Sequence, residues 1–264
     1  MNRFVLALPL LLAAAAPQAK TAPVDLQSQN TQAVLWMQDS GEYRALCYQA
    51  FNLAKLAFDQ ALANHQGKLA VMVDLDETML DNSPYSAWQI LGQQPYSDKS
   101  WDTWVNSIQT AALPGAVDFA NHVTLAGGTV FYVSNRSART FDATAKNLVQ
   151  AGFPRVDRDT LRLKTTTSDK ASRLAAIQAQ GYQVVLMLGD NLNDFPELGT
   201  YHQQNAEREL AVDAHQADFG NRFILLPNPS YGDWEPGLGK DYYQLNDAGK
   251  ARLRQRSLRS WSGK

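Results

Sequence analysis

The 264-residue sequence holds one cysteine, Cys47, so no intrachain disulfide can form and stability must come from a buried core. That thiol lies in ALCYQAF, a helical-looking stretch, and reads as a small buried hydrophobe. An excess of one charge is also missing. With 24 Lys and Arg against 26 Asp and Glu, the net charge of −2 gives no reason to expect a nucleic-acid polymer as partner. No Walker loop and no GxGxxG is present, which leaves nucleoside-triphosphate hydrolysis and dinucleotide binding without support. Internal repeats are absent, and low complexity is confined to the leader.

That leader, MNRFVLALPLLLAAAAPQAK, has one early Arg, an apolar stretch from Phe4 to about Ala16, and then small and polar residues. The stretch is too short to span a bilayer and has the layout of a secretory signal peptide. We expect residues 1–22 to be such a peptide, with the cut near Ala19 or Ala22, and the protein to be periplasmic or secreted. A buried N-terminal helix is the alternative. No cysteine in this segment could carry lipid, so no membrane anchor is evident.

Residues 31–64 are rich in Ala, Leu, Gln and aromatics, lack proline and read as one or two helices. Their expected core-facing positions include Leu35, Trp36, Leu46, Phe51, Ala54, Leu56 and Phe58. Apolar runs then alternate with helical stretches: strands over 69–74, 129–134, 184–190 and 222–227, helices over 138–151 and 169–180 that stop at Gly152 and Gly181. Continuous rather than alternating apolar strands point to a sheet covered on both faces. The rhythm predicts an α/β fold with a Rossmann-like parallel sheet. Residues 79–113, with Trp88, Tyr96, Trp101 and Trp104, interrupt it as a cap insert that forms a small, mainly helical lobe. Residues 241–264 read as a basic C-terminal helix, and 23–264 as a single domain.

Three of the strands end in polar groups: VMVDLDET, FYVSNR and LMLGDNLND. In open α/β sheets ligands bind beyond the carboxyl ends of the strands, so these three ends would converge on one site. Asp74, Asp76 and Glu77 crowd like charges there, which suggests that a cation sits among them.

DLDET (74–78), SNR (134–136), a following Lys and GDNLNDF (189–195) resemble the haloacid dehalogenase-like phosphatases, and within them the class C acid phosphatases, over about residues 31–260. The best-known members are bacterial outer-membrane lipoproteins acting on nucleoside monophosphates; the leader here departs from them in lacking the lipid-bearing cysteine. The resemblance implies a haloacid dehalogenase-like core, a Mg²⁺ cofactor, a small phosphomonoester substrate, and leaves a homodimer possible.

The residues carry the same chemistry. A phosphate monoester is a dianion, so an anionic nucleophile needs a cation to approach it, and oxygen ligands suit Mg²⁺. Asp74 would attack phosphorus and form an aspartyl-phosphate. Asp76 would protonate the leaving oxygen and later activate water, touching the metal only through its carbonyl if the family pattern holds. Asp190 would complete the protein ligands, with Asp194 binding the metal's waters or holding Lys170; turn-forming aspartates are the plainer reading of both. Lys170, in TSDKAS, resembles the catalytic lysine and would neutralise the phosphoryl group and orient Asp74. Lys164, ending a short strand, is a weaker candidate. Thr78 would shape the loop at the substrate. Ser134 would donate to a phosphate oxygen or, alternatively, cap the next helix.

Asn135 and Arg136 lie at the same edge within reach of substrate, although Arg136 could equally pair with an exposed acid. Trp101 and Tyr231 resemble positions that stack on a nucleobase; core packing is the usual fate of such rings.

Other phosphatase designs fail on the residues. None of His65, His122, His202 and His215 stands between Arg and Gly, and Cys47 lacks the C-x5-R loop. The expectation is an exported Mg²⁺-dependent acid phosphatase. A class B-like acid phosphatase or phosphotransferase, or a non-catalytic exported binding protein, are the alternatives.

Overall fold

The structure, a computed structural model, describes residues 25–263. The expected leader, residues 1–22, lies outside the described residues. In chain order the elements are α1 (Thr31–Asp39), α2 (Gly41–Asn64), β1 (Lys68–Val73), β2 (Leu80–Asp81), α3 (Ser83–Gly92), α4 (Asp98–Asn106), β3 (Ala111–Ala112), α5 (Ala116–Leu125), β4 (Thr129–Ser137), α6 (Phe141–Ala151), β5 (Leu161–Lys164), α7 (Ala171–Ala179), β6 (Tyr182–Gly189), α8 (Asn205–Ala214), β7 (Phe223–Leu225) and α9 (Asp247–Ser257). No helix among the described residues is long and apolar enough to cross a membrane.

Five strands form one sheet in the order β5-β4-β1-β6-β7, every pairing parallel. Strand geometry sends alternate side chains to opposite faces. Leu69, Val71 and Val73 of β1 therefore enter one buried cluster with Phe51, Phe58 and Phe119, while Ala70 and Met72 enter a second with Leu174, Ile177 and Phe195. Both faces are covered, which is why the strands read as unbroken apolar runs. Each large side chain so buried contributes about 1.5–3 kcal/mol.

The chain runs outward from β1 to β4 and β5, then returns to β6 and β7 on the other side. The strand order thus reverses at β1 and β6, and a crevice opens at their carboxyl ends. Gly152 closes α6 at a φ of +96°, a left-handed cap that glycine adopts without a Cβ penalty.

The insert between β1 and α5 is held by the two-residue antiparallel ribbon of β2 and β3, with α3 and α4 between them. The helix expected from residue 138 opens as a 3₁₀ turn before α6, and the basic tail is helical only over α9, N-capped by Asn246.

Three expected core positions are corrected. Leu35, Leu46 and Leu56 are 51%, 38% and 67% exposed. The stripe that α2 turns inward is Tyr43, Cys47, Ala50, Phe51, Ala54 and Phe58, so small and aromatic residues are buried and Leu46 and Leu56 fall on the outer face; α1 likewise buries Val34 and Met37 rather than Leu35. Cys47 is fully buried, as its surroundings suggested.

Candidate active site

Asp74 leaves β1 still tied to the sheet, its backbone N–H donating to the Leu188 carbonyl at 2.9 Å. A tight turn follows, in which the Leu75 carbonyl accepts from the amides of Thr78, Met79 and Leu80 at 3.3, 2.8 and 2.8 Å. Glu77 takes a φ of +57°, uncommon for a residue with a Cβ. Its carboxylate turns inward, accepting from the Asn82 amide at 2.7 Å and from the Tyr231 hydroxyl. Burial pushes this carboxyl up to about 8.

Asp190 follows β6, beside Asp74. Its two oxygens accept from the Thr78 hydroxyl at 3.0 Å and from the Asn228 amide group at 2.8 Å. Asp194, four residues on, folds back over Gly189, where a Cβ would collide with its carboxylate. One Asp194 oxygen accepts from the Asn191 amide at 2.9 Å and the other meets the Lys170 ammonium at 2.7 Å. Lys170, 1% exposed at the N-cap of α7, also pairs with Asp74. Burial pulls its pKa down, but Asp194 and Asp74 more than offset that and hold it above the usual lysine value.

Ligand atoms of Asp74, Asp190 and Asp194 lie within 4.8 Å of one another. Burial pushes Asp74 up against the pull of Lys170, and burial followed by repulsion from Asp194 and Asp74 pushes Asp190 up. One lysine thus does not relieve the crowding. An all-oxygen donor set with surplus negative charge fits a hard divalent cation.

Asp76 faces the other way. Its Oδ1 accepts from Arg136 Nε and Asn82 Nδ2 at 2.8 and 2.9 Å, and Arg136 Nη2 also lies 2.8 Å away. Asn82 in turn accepts at Oδ1 from the Trp104 indole at 2.8 Å and from Arg136 at 3.3 Å. Arg173 joins the β4 end to the lysine loop, donating to the Ser134 carbonyl, to Asn135 Oδ1 and to the Ser168 carbonyl. Above these groups opens a cavity of about 680 Å³ whose lining includes Asp74, Asp76, Asp190, Trp101, Arg136 and Tyr231.

Residues 7–234 match the family model of the HAD superfamily, subfamily IIIB (acid phosphatase). The chain belongs to that family. Two solved structures of the class C acid phosphatase from Bacillus anthracis, one with tungstate bound, superpose with a TM-score of 0.86 at 38% and 39% identity, covering 90% of this chain and 100% of those. Acid phosphatase 1 of Solanum lycopersicum is 32% identical over 170 residues, 62% of this chain and 59% of that protein. A stem 31 kDa glycoprotein of Glycine max is 26% identical over 60% of this chain and 57% of its own length. The chain therefore matches less than two thirds of the length of these curated relatives.

Within this acid phosphatase frame, the expected residues converge, with corrections. Thr78 is fully buried, and its hydroxyl donates to Asp190 and so braces that carboxylate. Arg136 pairs not with an exposed acid but with Asp76; its side chain is fully buried, with Nη1 left without a partner. Ser134 does not cap the next helix, a task that falls to Ser137; its hydroxyl lies 3.4 Å from Asp76 Oδ2 and accepts from the Arg136 amide. Asn135 is exposed at the cavity.

Trp101 stands edge-on to Tyr85 at 5.0 Å and over the Arg136 guanidinium at 5.8 Å, and Tyr231 is 42% exposed with its hydroxyl anchored on Glu77. Neither ring is core. Asn82, Trp104, Arg173 and Asn228 were not anticipated as site residues, and Glu77 was read only as part of the charge crowding after β1. Asn82 gave a signal as a polar residue just behind the acidic turn.

Proposed function

We propose that this chain hydrolyses phosphomonoesters, nucleoside monophosphates among them, through an aspartyl-phosphate on Asp74, with Mg²⁺ as cofactor, after export from the cytoplasm. The observation that carries the reading is the convergence of Asp74 and Asp190 from neighbouring strand ends, with Lys170 locked against Asp74.

Asp74 and Asp190 would hold the ion through side-chain oxygens, and Asp76 through its backbone carbonyl. Asp194, with both oxygens already engaged, keeps Lys170 in place. Bound there, the cation supplies charge neutralisation for an anionic nucleophile meeting an anionic phosphate. An Asp74 oxygen attacks phosphorus, the bond to the leaving oxygen breaks, and Asp76 gives that oxygen a proton. Asp76 then takes a proton from water, whose oxygen attacks phosphorus and releases Asp74 as carboxylate. Lys170 balances phosphoryl charge throughout, and Ser134 with loop amides receives the outer oxygens. The Bacillus anthracis relative binds tungstate, an oxyanion, which agrees with an anionic substrate for the family. Trp101 and Tyr231 offer flat faces for a base, a contact that contributes roughly 1–3 kcal/mol and tolerates different bases.

The test is hydrolysis of p-nitrophenyl phosphate and of a panel of nucleoside 5′- and 3′-monophosphates at mildly acid pH, with Mg²⁺ or with EDTA. Metal-dependent turnover that vanishes in Asp74→Asn, with the fold intact, is expected. Turnover indifferent to EDTA, or a wild-type rate in Asp74→Asn, would overturn the proposal.

A further inference from the structure

The two oxygens of Asp76 stand in unequal surroundings. Oδ1 is saturated: Asn82 Nδ2 and Arg136 Nε both donate to it, with Arg136 Nη2 close by. Among the described residues Oδ2 meets only the Ser134 hydroxyl, at 3.4 Å, a distance at which a hydrogen bond is weak. A carboxyl pinned through one oxygen by three donors cannot rotate to exchange its oxygens without breaking charge-assisted bonds. Asn82, 1% exposed, is the joint of this arrangement. Its backbone amide is fixed on Glu77, its Oδ1 accepts from Trp104 of α4 and from Arg136, and Nδ2 donates to Asp76 at 2.9 Å, with Glu77 Oε2 a weaker second acceptor at 3.5 Å.

We propose that Asn82 is a positioning residue that presents Oδ2 of Asp76 as the proton-carrying atom, and that Trp104 ties this alignment to the insert walling the cavity. The inference rests on the acid–base reading of Asp76 given above. In the first step the bond from phosphorus to the leaving oxygen breaks as Asp74 attacks, and the proton on Oδ2 passes to that oxygen. In the second, Oδ2 takes a proton from the attacking water. Oδ1 stays bound to Arg136 and Asn82 in both.

A misaligned acid matters most where the leaving oxygen cannot depart without a proton, as in an alkyl phosphate, and least for a nitrophenolate, which departs readily as an anion. The experiment compares kcat/KM, which reports phosphoryl transfer to Asp74, for an alkyl phosphate and for 2,4-dinitrophenyl phosphate. The proteins are the wild type, Asn82→Ala, Asn82→Asp and Trp104→Phe, each with saturating Mg²⁺ and with folding confirmed by circular dichroism and thermal melting.

We expect the alkyl-to-aryl ratio of kcat/KM to fall about tenfold or more in Asn82→Ala, given that an aligned general acid contributes roughly 10²–10⁴-fold. Asn82→Asp, which keeps the acceptor for Trp104 and Arg136 but turns an anionic oxygen on Asp76, should fall at least as far, and Trp104→Phe in the same direction but less. An unchanged ratio, whether both rates drop together or neither drops, overturns the positioning role. If the wild type shows no metal-dependent turnover, or Asp74→Asn keeps its rate, the phosphatase reading itself is what has failed.

Discussion

Glu77→Gln probes the turn after β1 through its pH dependence. Glu77 is 1% exposed, and burial lifts its carboxyl from 4.5 to about 8, with repulsion from Asp76 adding to the rise and hydrogen bonds from Tyr231 and Asn82 opposing it. Below pH 4.5 the folded and unfolded chains both carry this proton. Between 4.5 and about 8 the unfolded chain has released it while the folded chain keeps it, so stability falls as pH rises. Above about 8 the loss is complete. At about 1.4 kcal/mol per pKa unit, the rise from 4.5 to about 8 amounts to roughly 5 kcal/mol as a ceiling. Glutamine keeps an acceptor for the Asn82 amide and can donate to a reoriented Tyr231 hydroxyl, but has no proton to lose. Urea unfolding of both proteins in EDTA from pH 5 to 8.5 reads the effect. Asp74 and Asp190 are also pushed up and give slopes of the same sign in both proteins, so the difference curve reads Glu77 together with the part of the Asp190 rise that Glu77 itself causes. The variant should gain several kcal/mol on the wild type across this range. Parallel curves, or a wild type that gains on the variant as pH rises, would refute the buried-carboxyl argument.

Two further outcomes follow from the carboxylate cluster. Lys170→Met leaves Asp74 and Asp194 facing each other without a cation. Turnover of p-nitrophenyl phosphate should drop at least a hundredfold, and urea unfolding in EDTA at pH 8 should show a loss of about 3–5 kcal/mol that shrinks once acid protonates the carboxyls. Thr78→Val removes the hydroxyl that steadies Asp190. The Mg²⁺ concentration for half-maximal activity should rise roughly tenfold with little change at saturation; an unchanged metal requirement would show that Asp190 needs no such support.

The strands and their acidic ends were legible because they obey simple rules. LAVMVD is apolar on both faces because both faces are covered, and a charge directly after such a run marks the sheet's edge. The leucines of α2 misled because leucine is as good a helix former as a core residue, and the face that α2 buries carries Ala50 and Ala54 instead. Arg136 could be placed at the edge but not oriented, since its partner Asp76 is sixty residues away and reached only through the parallel pairing of β1 with β4. Thr78 suffered the same way: its hydroxyl faces Asp190, just after β6, a strand that adjoins β1 only once the chain has passed through β4 and β5. Asn228 belongs to a loop whose approach depends on β7 docking at the sheet's far edge, and no local pattern announces that.

The placement of β1 at the middle of five strands has a mechanical corollary. Asp74 is borne by the central strand, flanked by two strands on each side, the part of such a molecule that opens last, whereas α3 and α4 are joined to the body by a ribbon only two residues wide and by helix contacts to α1 and α6. On the proposed reading, the firmest part of the sheet lies under phosphorus and the insert faces the rest of the ester. Residues of that wall can then be exchanged to admit differently shaped alcohols while the anchoring of Asp74 stays as it is.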